Sequence, residues 1–158
     1  MDSKGIPTLI AAILLCEAAG LVGSIFTFPS IPGWYATLNK PSFSPPNWVF
    51  GPVWTTLYAL MGISLYLVWK KGQEKINIKI PLIFFGIQLF LNFLWSILFF
   101  GLHSPVLGLI CIILLWLSIA ATILSFYTIS RNAAYLLIPY LLWVSFASIL
   151  NAAVWMLN

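Results

Sequence analysis

The sequence predicts an all-α integral membrane protein: one bundle of five transmembrane helices, with a proline- and tryptophan-rich loop between helices 1 and 2. Hydrophobic residues make up 62% of the chain, charged residues only 6%, and the mean hydropathy is +1.05. In soluble domains the charged fraction is about a quarter. A membrane-spanning helix needs about 20 apolar residues, and five segments of this kind are present. They cover residues 6–28, 48–69, 80–100, 105–129 and 133–157.

The connections between the segments favour a single domain over residues 1–158. The first segment is too long for a removable signal peptide and lacks a small-residue cleavage end, so we expect it to remain in the protein. The sequences KKGQEKINIK, GLHS and SRN are short links between later segments. Short links join antiparallel neighbours, which predicts an up-and-down bundle.

Basic residues lie mainly on one side of the predicted membrane. With the N-terminus placed on that side, the basic residues near the N-terminus and in two loops all lie on the same side of the membrane. Lys40 is the one basic residue on the other side. This bias predicts a cytoplasmic N-terminus and an external loop between helices 1 and 2. Nothing here resembles the basic, aromatic-interleaved surface of a nucleic-acid-binding domain. The biased set is Lys4, Lys70, Lys71, Lys75, Lys79 and Arg131.

The first connection differs from the other three. It contains five prolines, which lack a backbone donor and should end the first helix near Phe28 and stiffen the chain up to Trp48. We expect this loop to pack through Trp34, Tyr35 and Phe43 and to form a lid over one mouth of the bundle. The prolines are Pro29, Pro32, Pro41, Pro45 and Pro46.

Three helices carry aromatic and polar residues on one face. A rotation of about 100° per residue follows from 3.6 residues per turn, and it groups these residues on helices 2, 3 and 5. Amides in hydrocarbon need partners, so Asn92 and Asn151 should face the bundle interior, in the half of the membrane beneath the lid. The three faces are Trp54, Tyr58 and Met61; Gln88, Asn92, Trp95 and Phe99; and Tyr140, Trp143, Ala147 and Asn151.

Interfacial packing is the alternative interpretation of the tryptophans. An aromatic belt explains Trp48, Trp69 and Trp155, which lie at helix ends. It explains the tryptophans on the three interior faces less well, although tight helix packing would also accommodate them. Ala147 suits the floor of a pocket or, equally, a close helix contact.

The stretch from Trp34 to Tyr58, with W-Y-x-x-L-x-K-P followed by P-P-x-W-V-x-G-P-V-W-x-x-L-Y, resembles the translocator protein family, also called tryptophan-rich sensory proteins or peripheral-type benzodiazepine receptors. The runs QLFLNFLWSILFFG and PYLLWVSFASILNAAVW resemble the same family in the same order, so the resemblance covers essentially the whole chain. It implies a bundle, often homodimeric, that binds protoporphyrin IX, haem or related tetrapyrroles, sterols and isoquinoline-type ligands in a lidded cavity, with no required cofactor. The implied pocket residues are Trp34, Trp54, Tyr58, Asn92, Trp95, Trp143 and Ala147, to which the helical faces add Asn151.

Conventional catalysis is not indicated by the remaining residues. The chain has one histidine, His103, which excludes a multi-histidine metal site, and Asp2 and Glu74 lie at the terminus and in a loop. The family resemblance implies a different activity, the light- and oxygen-dependent breakdown of protoporphyrin IX, in which Trp54 and Trp143 take part. The excited porphyrin itself supplies the oxidising power.

A sterol-recognition pattern of the same family is matched by Leu124, Tyr127 and Arg131 at the end of helix 4. The alternative is that Tyr127 and Arg131 anchor the helix at the interface. The short segment after helix 5 resembles bacterial family members, so the resemblance implies a bacterial cell membrane.

Glu17 favours a second function. A carboxylate in the middle of a membrane helix is costly and is a candidate functional group. A small proton-coupled exporter of hydrophobic cations would use such a residue. The other interpretation is that Glu17 is protonated and hydrogen-bonded, or reaches a water-filled crevice; candidate partners are the hydroxyls of Ser118, Thr122 and Ser125.

Overall fold

The computed structural model describes residues 5–158 and consists of helices joined by short connections. Within that range five helices are long and apolar enough to cross a membrane, which confirms the predicted fold class. Asp2 and Lys4, used in the predictions, lie outside the described residues. The helices are α1 (Gly5–Ser30, extended by a π-helical turn over Ile31–Tyr35), α2 (Asn47–Gln73), α3 (Lys79–Ser96, extended by a π-helical turn over Ile97–Gly101), α4 (Pro105–Tyr127), α5 (Arg131–Leu136) and α6 (Ile138–Leu157).

The fifth membrane span is divided into α5 and α6. The two helices meet at Leu137, and Pro139 lies in the first turn of α6, where its missing N–H costs little. Ala133 of α5 is fully buried, and its carbonyl oxygen accepts a hydrogen bond of 2.7 Å from the Ser64 hydroxyl of α2. This short helix therefore fixes the start of the fifth span against the second.

Helix 1 does not end where its prolines predicted. It continues through Pro29 and Pro32 to Tyr35, so the prediction that these two residues stop the helix near Phe28 is wrong. A proline removes one helical hydrogen bond, and a π-helical turn accommodates the extra bulk at that point. Packing against neighbouring helices stabilises such an interruption in membrane helices. Here the Ser30 hydroxyl donates to the Phe100 carbonyl oxygen at 2.8 Å, which ties α1 to the end of α3.

Small residues set the contact between α1 and α2. A Cβ atom on Gly62 would collide with the backbone of Ile13, and one on Gly20 would collide with the Tyr58 ring. The two helices therefore approach closely from Ile13 to Gly20 because the glycines have no side chain. From Glu17 toward the connector end, the facing sides of α1 and α2 line a cavity.

The bundle has two chemically different ends. We call the end that holds residues 36–46 the connector end, and the end that holds Lys70, Lys71, Lys75 and Lys79 the lysine end. Arg131 lies at the lysine end, since it begins the span antiparallel to α4. Lys40 lies at the connector end, with its Nζ 4.7 Å from the centre of the Tyr35 ring. Which end faces the cytoplasm stays a prediction.

Candidate ligand-binding cavity

A cavity of about 240 Å³ lies between the connector-end halves of α1, α2, α3 and α6. The structure brings seven of the eight predicted binding residues to its wall, from three different helices. They are Trp54, Tyr58, Asn92, Trp95, Trp143, Ala147 and Asn151.

Trp34, the eighth predicted residue, is not among the lining residues. Its ring stacks on His103 with the ring centres 4.7 Å apart and meets the edge of Phe99 at 5.5 Å. The neighbouring Tyr35 and Ile31, one helical turn apart, line the cavity instead.

The predicted lid is therefore not confirmed. Of residues 36–46, none lines the cavity. Phe43 packs against Phe146 at 6.3 Å, and the Asn39 backbone N–H donates to Asn158 Oδ1 at 2.9 Å. The connector is thus tied to the end of α6, and the extended end of α1 forms this part of the cavity wall.

Aromatic rings form most of the remaining wall. Trp54 stacks on Tyr58 with ring centres 5.6 Å apart. Trp95 stacks on Phe99 at 5.3 Å, and Trp143 meets the edge of Phe50 at 6.1 Å. Packed in this way, the indoles are held as fixed flat surfaces, a geometry that suits a flat aromatic ligand.

The two asparagines face the bundle interior, as predicted, and each is already hydrogen-bonded. Asn92 accepts from the Tyr58 hydroxyl at 2.5 Å and donates to the Tyr140 hydroxyl at 2.7 Å. Asn151 accepts from Trp95 Nε1 at 3.1 Å and donates to the Pro105 carbonyl oxygen at 2.8 Å. Both amides thus join helices across the bundle.

Gln88, on the same face of α3, lies outside the cavity wall. It is 1% exposed, and its Nε2 lies 3.8 Å from Met61 Sδ. The polar face of α3 therefore extends below the cavity into the helix packing.

The Trp143 indole and the Glu17 carboxylate are polar groups of the wall that make no hydrogen bond within residues 5–158. The Trp143 Nε1 is a buried donor without an acceptor. Glu17 lines the cavity and makes no hydrogen bond in that part of the chain. A buried donor without a partner is costly, and so is an unpaired carboxylate within a membrane span, so both groups are available to a ligand.

The expected hydroxyl partners of Glu17 are engaged elsewhere. Ser118, Thr122 and Ser125 each donate to a carbonyl oxygen of their own helix, α4, at 2.7 to 2.9 Å. Helix α4 packs mainly on α3 and α6, not on α1. The interpretation that pairs Glu17 with these hydroxyls is therefore wrong.

The cavity opens sideways between α1 and α2. Leu21 and Phe28 line it and are each 67% exposed on the outer surface of the bundle. Across from them, Gly51 and Thr55 of α2 are also exposed. Sequence reasoning missed the α1 wall, because leucine and phenylalanine in a membrane helix look alike whether they face lipid or a cavity.

The predicted sterol pattern lies elsewhere. Leu124 is 71% exposed, and the Arg131 guanidinium lies 5.5 Å from the centre of the Tyr127 ring. These residues are at the lysine end, and none of them lines the cavity. An exposed tyrosine and arginine at a helix end fit the interface-anchor interpretation.

A sequence model described as the TspO/MBR family matches residues 12–156. The chain belongs to this family. It is 47% identical over 156 residues to the tryptophan-rich protein TspO of Chlorobaculum tepidum, covering 99% of each chain. The archaeal protein of the same name from Archaeoglobus fulgidus is 51% identical over 150 residues, which are 95% of this chain and 96% of the relative.

The human translocator protein is 44% identical over 135 residues, which are 85% of this chain and 80% of the relative. The predicted resemblance to the translocator protein family is thereby confirmed. Membership of the TspO/MBR family and five membrane-spanning helices make this an integral membrane protein. Family membership also supports a membrane receptor role.

Proposed function

We propose that this TspO/MBR family member is a membrane receptor or carrier for tetrapyrroles, with protoporphyrin IX as the representative ligand. The observation that carries the proposal is the convergence of Trp54, Trp95 and Trp143, from three helices, on one cavity. A planar macrocycle offers two large apolar faces to these indoles. Haem, sterols and isoquinoline-type compounds are further candidates because they are flat and apolar.

The shape of the cavity supports insertion of the ring by one edge. A tetrapyrrole is larger than about 240 Å³, so part of it must extend through the opening beside Leu21 and Phe28. Carboxylate side chains of the ligand would lie at the connector end, where Lys40 sits above the Tyr35 ring. An apolar edge would point inward, toward Trp54.

Light- and oxygen-dependent breakdown of the bound porphyrin is a second candidate function. It is favoured by the indoles of Trp54 and Trp143 on the cavity wall. The excited porphyrin and molecular oxygen would supply the reactivity, and the protein would hold the ring against the indoles.

The setting of the protein is also proposed. We place it in a bacterial cell membrane with the lysine end in the cytoplasm, since basic loops favour that side.

We further propose a homodimer through the face of α3 around Gly86, where a Cβ atom would meet nothing within 4 Å. Small residues allow close helix approach in membranes, and cross-linking in native membranes would test this arrangement.

Tryptophan fluorescence titrated with protoporphyrin IX in the dark tests the main proposal. Wild type should show saturable quenching, and Trp143→Phe should bind more weakly. Trp155→Phe is the matched control, because Trp155 is 48% exposed and lies outside the cavity wall. Absence of saturable quenching in the wild type would overturn the proposal.

Illumination of the saturated complex then separates the two fates of the ligand. Loss of the porphyrin absorbance with wild type but not with Trp143→Phe would favour degradation. Stable absorbance would favour a receptor or carrier.

A further inference from the structure

The polar groups of the cavity wall differ in whether they are free to hydrogen-bond with a ligand. The amides of Asn92 and Asn151 are used in bonds between helices. The hydroxyls of Ser24, Thr27 and Thr55 donate to carbonyl oxygens of their own helices. Glu17 is the one lining residue that can carry a charge at neutral pH.

Glu17 lies at the inner end of the cavity. It is one helical turn before Gly20, and the absence of a side chain there lets the Tyr58 ring lie against α1. Leu21 and Ser24 follow on the same wall toward the opening. Glu17 therefore lies beside the aromatic stack of Tyr58 and Trp54, where a flat ligand would end.

Glu17 also has no basic residue to pair with. In the described part of the chain the one ion pair joins Lys71 and Glu74, at 2.8 Å, outside the bundle. The other basic residues of that part lie at the two ends of the bundle. A carboxylate without a counter-ion in the middle of a membrane span is costly, and this cost falls when a ligand brings the counter-charge.

We propose that Glu17 is a specificity-determining residue that accepts a hydrogen bond from a cationic nitrogen at the inner edge of a flat aromatic ligand. This deepens the proposed function, since it rests on ligand binding in the same cavity. A charge-assisted hydrogen bond is stronger than a neutral one, and the apolar surroundings reduce its screening. The aromatic rings of Trp54 and Tyr58 would also attract the cation.

The same residue sets the orientation of anionic ligands. A carboxylate at the inner end would face Glu17, and like charges repel strongly in a site of low dielectric. The propionate groups of protoporphyrin IX therefore point away from Glu17, toward Lys40 at the connector end. Because this repulsion also acts across the low-dielectric cavity, Glu17 favours amines and weakens the binding of an anionic porphyrin.

Two dyes of the same ring shape test the proposal. Proflavine is a planar cation at neutral pH, and acridine is its neutral parent ring. Each is titrated by tryptophan quenching into wild type, Glu17→Gln and the control Glu74→Gln, which removes a carboxylate outside the cavity. We expect Glu17→Gln to weaken proflavine binding by about tenfold or more, with a smaller change for acridine and no change in the control.

Protoporphyrin IX is titrated into the same variants, and its affinity should change in the opposite direction to that of proflavine. Glu17→Gln should bind it more tightly, a result that a misfolded variant cannot give. Equal loss of all three ligands, or unchanged proflavine affinity, overturns the role of Glu17. If protoporphyrin IX does not bind while proflavine binds through Glu17, the tetrapyrrole proposal fails and the role of Glu17 stands.

Discussion

Tyr58 of α2 and Asn92 of α3 are joined by a hydrogen bond of 2.5 Å from the tyrosine hydroxyl to Asn92 Oδ1. Asn92 continues the connection to the Tyr140 hydroxyl of α6 at 2.7 Å. All three side chains are buried, and those of Tyr58 and Asn92 line the cavity. They connect the three helices that carry the tryptophans of the cavity wall, so the hydrogen bonds that hold the bundle together also fix the position of that wall.

Tyr58→Phe should therefore destabilise the protein by about 1–2 kcal/mol, because it removes the donor and leaves a buried Asn92 oxygen with one partner fewer. Thermal unfolding in detergent measures the effect. Tyr66→Phe is the control on the same helix, since no hydrogen bond to the Tyr66 hydroxyl is found among residues 5–158. Equal melting temperatures for the two variants would contradict a structural role for the network.

Gly62→Ala should destabilise the protein by about 1–3 kcal/mol, the usual cost of overpacking. The added methyl group would meet the backbone of Ile13, which cannot move aside as a flexible side chain could. Gly33→Ala is the matched control, because a Cβ atom there meets nothing within 4 Å and alanine favours the helical turn Ile31–Tyr35 in which this residue lies. Unfolding of the two variants in detergent should thus change in opposite directions.

Lys75→Gly should stabilise the protein by about 0.5–1 kcal/mol. Lys75 follows the end of α2 with φ 65°, and its N–H donates to the Gly72 carbonyl oxygen at 3.2 Å. Glycine is the preferred residue in this left-handed position after a helix. Lys70→Gly removes the same charge inside α2 and should lower the melting temperature instead. A lower melting temperature in both variants would contradict the argument from backbone conformation.

Ala147→Leu should weaken the binding of protoporphyrin IX by roughly tenfold or more, because the larger side chain occupies cavity space. The melting temperature should stay near that of the wild type, since the added atoms enter an open volume. Ala36→Leu adds the same atoms at an exposed position outside the cavity wall. Unchanged affinity in Ala147→Leu would place the ligand elsewhere.

Part of the cavity wall could be predicted from helical faces. Asn92 and Asn151 are polar residues in apolar helices, and such residues must face protein because lipid offers them no partner. Their position identified the aromatic residues one turn away. Leu21 and Phe28 carry no such signal, since lipid and a cavity accept the same side chains.

The connector shows where local rules were insufficient. Pro29 and Pro32 disfavour a helix locally, and the prediction of a helix end near Phe28 followed from that preference. In the structure the Ser30 hydroxyl bonds to Phe100, and Tyr35 packs on Phe100 with ring centres 5.7 Å apart. Tertiary packing therefore overrides the local preference of two prolines.

By itself the sequence determined the membrane class, the five spans, the family and the faces of three helices, because hydrophobic length and polar periodicity are properties of each segment alone. The tertiary structure decided the roles of individual residues. In the structure the Asn92 amide joins helices, Trp34 lies outside the cavity, and Glu17 lies on the cavity wall. These outcomes depend on how the helices pack against one another across the bundle, which no single segment determines by itself.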